Sequence, residues 1–176
     1  MWLSESQAQQ IIAHARADAP CEACGIIAGR NQCAAEIIPI VNTASDPLHS
    51  YIMDERALVA ALSSFERCGL ELLGFYHSHP NNDPIPSRAD IQQASYPDTP
   101  YLIVGLKGGT ARLAAWAMHA GQVSEVMLQM GCDAPAQPSS LSNAEKAAVL
   151  LGALIALALL IVVSLTLLPP APLIPR

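Results

Sequence analysis

The sequence predicts an α/β (α+β) domain of about 130 residues, followed by one long apolar helix. Three observations lead there. Helix-period and strand-period segments alternate through the first half, the second half is β-rich and broken by glycines, and residues 147–168 form an unbroken apolar run. The 176 residues leave room for one ordinary domain plus extras, not two domains.

The elements follow in order. Residues 4–17 place Ile11, Ile12 and Ala15 on one helical face, with Ser4 as N-cap. Gly25-Ile-Ile-Ala-Gly29 and the Glu36-Ile-Ile-Pro-Ile-Val41 run read as two short strands joined by the turn Gly29-Arg-Asn-Gln32. Residues 42–50 are turn-rich. Asp54 caps a helix over 55–68, where Leu58, Leu62 and Phe65 share a face, and Gly69 stops it. Leu72-Leu-Gly-Phe-Tyr-His77 is an apolar strand ending at His77, residues 81–86 form a proline-bearing loop, and Ser87 caps a helix to about Ser95. Residues 101–106 and 111–118 are strands around the turn Lys107-Gly-Gly-Thr110, and 122–129 is one more. Residues 133–143 are a polar Pro/Ser linker, and no internal repeat is present.

The run at 147–168 contains 22 residues and no charge. As a helix it is roughly 33 Å long, enough to cross a hydrocarbon core of about 30 Å. It is apolar on every face, and so small a domain has little means of burying such a helix all round. It therefore reads as a transmembrane helix. Residues 1–146 carry 8 Lys/Arg against 15 Asp/Glu, a net charge of −7. With no basic stripe, that surface disfavours nucleic acid. The N-terminus shows no basic segment leading into an apolar one, so no signal peptide is expected. A tail-anchored, single-pass protein with its domain in the cytoplasm follows as an expectation. The five cysteines (21, 24, 33, 68 and 132) are irregularly spaced and fit reduced thiols.

The stretch that carries chemistry is His77-Ser78-His79-Pro80, six residues, Ser87, two residues, Asp90. Side chains at i and i+2 of a strand share a face, so both imidazoles can reach one ion. The loop turns the chain back, and Asp90, one turn into the next helix, can add a carboxylate. Two histidines and one carboxylate leave a fourth position open, the pattern of a catalytic zinc site. Ser87 and Asp90 equally fit a helix cap with an acid in its first turn, and a capped helix would hold Asp90 rigid.

This spacing resembles the signature of the JAMM (MPN-plus) metalloproteases. Pro20-Cys-Glu22-Ala-Cys-Gly25-Ile-Ile-Ala-Gly29 is similar to that family's Glu-x-Cys-Gly-hydrophobic-Gly segment. Pro47-Leu-His-Ser-Tyr-Ile-Met-Asp54, Tyr96-Pro-Asp98 and Pro100-Tyr-Leu-Ile-Val104 resemble short bacterial (Mec-like) members, and the likeness covers roughly residues 5–130. It implies an MPN/JAMM, cytidine-deaminase-like mixed curved sheet flanked by helices. It further implies His77, His79 and Asp90 as zinc ligands, Glu22 as general base and Ser87 as an oxyanion-holding residue. The implied reaction is zinc-dependent hydrolysis of a peptide or isopeptide bond at the tail of a ubiquitin-like or sulfur-carrier protein. The alternative is a non-catalytic MPN-like scaffold binding such a partner at a membrane, although relatives of that kind usually lose ligands. The expected organisation is a metallopeptidase domain over 1–131, a linker over 132–145, a transmembrane helix over 146–169 (core 147–168) and a tail over 170–176.

Pro20-Cys-Glu-Ala-Cys24 also matches half of a zinc deaminase motif. The upstream His/Cys-x-Glu is missing, because His14 is followed by Ala15 and Arg16. Cys24 is accordingly expected in the core and Cys21 to be incidental. His49 and His119 lack motif context and are expected to be surface or structural residues, Trp116 and Phe75 core ones.

Overall fold

The family resemblance implies a mixed sheet flanked by helices, and the computed structural model, which describes residues 1–131 together with 159–160, has that arrangement. The chain divides into two units, Met1–Pro135 and Ala136–Arg176. In the first, an eight-stranded sheet contains, in chain order, β1 (Trp2–Leu3), β2 (Cys24–Arg30), β3 (Cys33–Ile40), β4 (Glu71–His79), β5 (Tyr101–Gly105), β6 (Arg112–His119), β7 (Gln122–Val126) and β8 (Gln129–Met130). Their spatial order is β7-β6-β5-β4-β2-β3-β1-β8. The central strand β4 runs antiparallel to β2 and parallel to β5. The β4-to-β5 crossover contains the short helix α3 (Arg88–Gln93), which follows α1 (Glu5–Asp18) and α2 (Glu55–Cys68).

Local chemistry explains the boundaries. Ser4 opens α1 with a capping box, its hydroxyl accepting from Gln7 N while Gln7 Oε1 accepts from Ser4 N. Asp54 caps α2, and Gly69, in a left-handed conformation at φ 63°, ends it. The β2–β3 turn has positive φ at both Asn31 and Gln32, the handedness that suits a two-residue hairpin. The strand predicted to end at His77 continues to His79, because β5 extends the ladder through His79↔Gly105. Two short strands at one end of the sheet, β1 and β8, were not expected. Each is two residues long, and periodicity has nothing to register over so short a span.

Alternation along the strands divides the core by sheet face. Ile11, Ile12 and Ala15 of α1 pack with Ile27, Tyr76, Leu102 and Val104. Phe65 and Ala61 of α2 pack with Cys24, Ile26, Phe75 and Tyr101 on the other face. Cys24 and Phe75 are core residues as expected. Cys21, Cys24 and Cys68 are free thiols. Cys33 is disulfide-bonded, a departure from the expectation of reduced thiols, since spacing along the chain does not report proximity in space.

Among the described residues no helix is long and apolar enough to cross a membrane. The expected span at 147–168 lies outside the described residues except for Leu159 and Leu160, which are helical and exposed. The expected linker and tail lie outside them as well.

Candidate metal centre

The centre grows from the end of β4. His77 and His79 project to one face of the strand, and the loop after Pro80 leads to Ser87, the N-cap of α3. Ser87 Oγ accepts from Asp90 N at 3.2 Å, and Asp90 Oδ2 accepts from Ser87 N at 2.6 Å. Asp90 is therefore both the closing half of a capping box and the acid aimed at the imidazoles. The cap and the metal-facing carboxylate are thus one residue, the combination the sequence allowed.

All three side chains are buried. His77 Nε2 lies 3.2 Å from His79 Nε2 and 3.4 Å from Asp90 Oδ1, and His79 Nε2 lies 3.3 Å from Asp90 Oδ2. A tetrahedral ion with bonds of about 2.0–2.1 Å has ligand-to-ligand edges of about 3.3 Å. The donor set and its spacing thus fit a metal. His79 Nδ1 lies 3.2 Å from Asp83 O. Donation there selects the tautomer that leaves Nε2 a lone pair for a cation. The His77 ring stacks on Tyr51, with centroids 4.4 Å apart, and its Nδ1 has no hydrogen-bond partner.

Electrostatics divides the groups. Burial pulls the His77 imidazole below its ordinary value, outweighing the Asp90 hydrogen bond. His79 is also pulled down by burial, but Asp90 and the Asp83 carbonyl together carry it above its ordinary value. Burial pushes the Asp90 carboxyl up, and hydrogen bonds from His77 and His79 reverse that, holding it well below the usual carboxylate range.

Glu22 lies two residues before β2 and is 7 % exposed. Its Oε2 is buried without a partner, and burial pushes the carboxyl up to about 7, with His79 acting in the opposite sense. Glu22, His79 and Ser87 line one cavity of about 200 Å³ together with Leu48, His49, Asn81 and Asn82. The sequence-predicted residues therefore gather around one centre: His77, His79 and Asp90 converge on a point, and Glu22 and Ser87 share the cavity beside it.

Three features were missed. His49 is exposed but lines the cavity, with Nδ1 3.1 Å from Asp46 Oδ2. Trp116, expected in the core, is half-buried and donates from Nε1 to Pro84 O at 2.8 Å. Asp83 accepts from Lys107 Nζ at 2.8 Å and Arg112 Nη1 at 2.9 Å, so the β5–β6 region clamps the loop whose carbonyl faces His79. Gly105 completes the clamp, since a Cβ there would lie 2.6 Å from Pro84 and 2.8 Å from Asn82 O. Only the Asp46/His49 spacing carried a local signal, an acid three residues before a histidine in a turn.

Fold and centre together define a mixed-sheet domain with a buried two-histidine, one-carboxylate group able to hold a metal, next to a cavity lined by a buried glutamate. The chain belongs to the prokaryotic homologs of the JAB domain, whose family description matches residues 4–119. It is 39 % identical over 114 residues to a desampylase from Haloferax volcanii, covering 60 % of this chain and 81 % of that one. It is 43 % identical over 101 residues to a probable TtuB-protein conjugate cleaving protease from Thermus thermophilus, covering 57 % and 67 %. A CysO-cysteine peptidase from Mycobacterium tuberculosis is 32 % identical over 99 residues, covering 55 % and 67 %. Among solved structures, a Desulfitobacterium hafniense protein matches with TM-score 0.69 and 28 % identity over 76 % of this chain and 94 % of that one. A JAB1/MPN domain protein from Archaeoglobus fulgidus shares the fold, at TM-score 0.50 and 18 % identity over 74 % and 96 %.

Proposed function

We propose that this chain is a zinc-dependent peptidase that hydrolyses a peptide or isopeptide bond at the C-terminal tail of a ubiquitin-like or sulfur-carrier protein. The observation that carries this is the convergence of His77, His79 and Asp90 beside a cavity lined by Glu22 and Ser87. The relatives named for desampylation, for cleaving a TtuB–protein conjugate and for releasing cysteine from CysO support the substrate class.

In this mechanism His77, His79 and Asp90 would hold the metal, which when bound would supply Lewis-acid polarisation of the scissile carbonyl and acidify the attacking water. Glu22 takes a proton from the attacking water, its unpartnered Oε2 being free to accept it. Once protonated, the carboxyl can return that proton to the leaving amine. Ser87 Oγ already accepts from Asp90 N, which leaves its O–H free to donate to the oxyanion. Water and amide are consumed, and carboxylic acid and amine are released.

The domain spans residues 1–131, and a linker at 132–145 joins it to a membrane span within 146–169 that leaves a tail at 170–176. The support for anchoring is the uncharged 22-residue run at 147–168. Resistance of the full chain to alkaline extraction from membranes, lost when the chain is ended at 145, tests the anchor. Protease protection in sealed vesicles tests a cytoplasmic domain. For the activity, detergent-purified full chain is assayed for zinc and incubated with a carrier protein bearing cysteine after its diglycine tail, and with a lysine-linked conjugate. Mass spectrometry then detects the freed tail. Protein without stoichiometric zinc, together with a Glu22→Gln variant as active as wild type, would sink the proposal.

A further inference from the structure

We infer that Asn42 is a positioning residue that holds the Glu22 peptide in place against the cavity. The inference rests on the proposed role of Glu22 as base.

Glu22 lies outside the sheet ladder. The pairing of β2 with β4 begins at Cys24↔His77, and the chain reaches Glu22 from α1 through the turn at 19–21. Two contacts replace the missing ladder. The Glu22 N–H donates to Pro47 O at 2.7 Å, and the Glu22 carbonyl accepts from Asn42 Nδ2 at 2.9 Å. Asn42 is also the hub of the loop that supplies Pro47. Its Nδ2 donates to Ser50 O at 3.0 Å, while its Oδ1 accepts from Ala44 N at 3.0 Å and Ile52 N at 3.1 Å. Two carbonyls face one end of the amide and two N–H groups the other, so the partners themselves fix its orientation and saturate it.

Both hydrogen bonds made by Glu22's own N–H and carbonyl therefore trace to one side chain, directly or through the 43–52 loop, while the next residue is tied to β4 separately, Ala23 N donating to Ser78 Oγ at 2.9 Å and Ser78 N to Ala23 O at 2.9 Å. The base of that loop is a short antiparallel pairing, with Asn42 bridged to Met53, Thr43 N donating to Ile52 O and Asp54 N donating to Val41 O. The same loop brings Leu48 and His49 to the cavity and stacks Tyr51 on His77. No other amino acid combines two donors and two acceptors on so short a stem. Alanine would release four backbone groups, and aspartate would set a carboxylate against two carbonyls. A displacement of about 1 Å in a catalytic group can cost on the order of 100-fold. Glu22 is the group so exposed, because its own Oε2 has no partner to restrain it.

The test compares Asn42→Ala and Asn42→Asp with Glu22→Gln in the full chain, using the carrier protein with one cysteine after its diglycine tail as probe. Both Asn42 variants should lose about 10- to 100-fold in kcat. KM should stay within about threefold and zinc stoichiometry should be unchanged. Adding either Asn42 substitution to Glu22→Gln should lower the residual rate no further, because the group being positioned is already gone. Near-wild-type kcat in both Asn42 variants, or lost zinc binding, or an undiminished effect on the Glu22→Gln background overturns the inference. Unfolding of Asn42→Ala leaves Asn42→Asp, close in size, to decide. A fully active Glu22→Gln enzyme sinks the proposed base and this inference together. An inactive one beside a fully active Asn42→Asp sinks the inference alone.

Discussion

Replacing Glu22 by glutamine separates a catalytic acid from a structural one, because activity and stability should move in opposite directions. Glutamine preserves volume and one carbonyl oxygen but cannot take up a proton. Loss of general acid–base catalysis typically costs 10²- to 10⁴-fold in rate, about 2.7–5.4 kcal/mol at 1.36 kcal/mol per tenfold. The stability effect follows from burial, which moves the carboxyl from 4.5 to about 7. The folded protein holds this proton more tightly than the unfolded chain does. The resulting stabilisation is complete below pH 4.5 and is lost as pH rises through about 7. Above that, the buried carboxylate opposes folding by at most about 3.4 kcal/mol (2.5 pH units at 1.36 kcal/mol each), and solvent reaching the cavity reduces this to about 1–2 kcal/mol. Metal-free Glu22→Gln protein should therefore be about 1–2 kcal/mol more stable than wild type at pH 8 and equal to it near pH 4. Urea unfolding at both pH values measures this, and steady-state cleavage of the cysteine-bearing carrier protein measures the loss of rate. A variant within tenfold of wild type in kcat/KM, or one less stable than wild type at pH 8, would refute the reasoning.

Other perturbations have distinct signatures. His79→Ala or Asp90→Asn should lower zinc affinity by well over 100-fold, since losing even a supporting contact costs about 10- to 100-fold; competition with a chromophoric chelator reads it. Ser87→Ala should cost about 1 kcal/mol through the lost N-cap and about 100- to 1,000-fold in kcat, whereas Ser87→Thr keeps both roles. The two imidazoles hold the Asp90 carboxyl below its ordinary 3.8, so its contribution to stability is present above that pH and lost as pH falls further. Metal-free wild type should accordingly lose urea resistance below pH 4 more steeply than Asp90→Asn. Gly25→Ala should destabilise by about 1–3 kcal/mol, because the new Cβ would lie 2.4 Å from Ile38 O and 2.5 Å from the Tyr76 ring; its urea midpoint checks this.

What the sequence by itself determined is local. The caps at Ser4, Asp54 and Ser87, the stop at Gly69 and the shared face of His77 and His79 depend on residues at most four positions apart, so spacing encodes them. Asp90 was legible for the same reason, since its position is set by the cap of its own helix. Glu22 was legible only through family resemblance: it is 55 residues from His77, and no periodicity spans that gap. Tertiary structure decided the rest. It buried Glu22 with one oxygen unpartnered, turned His49 from a solitary surface histidine into a cavity wall, and set Asp83, Trp116 and Gly105 around the loop beside His79. It also gave Asn42, an ordinary turn residue in the sequence, four backbone partners. Each of these depends on the folded chain bringing loops and strands together, and the free energy of burying a carboxylate or saturating an amide exists only once they have met.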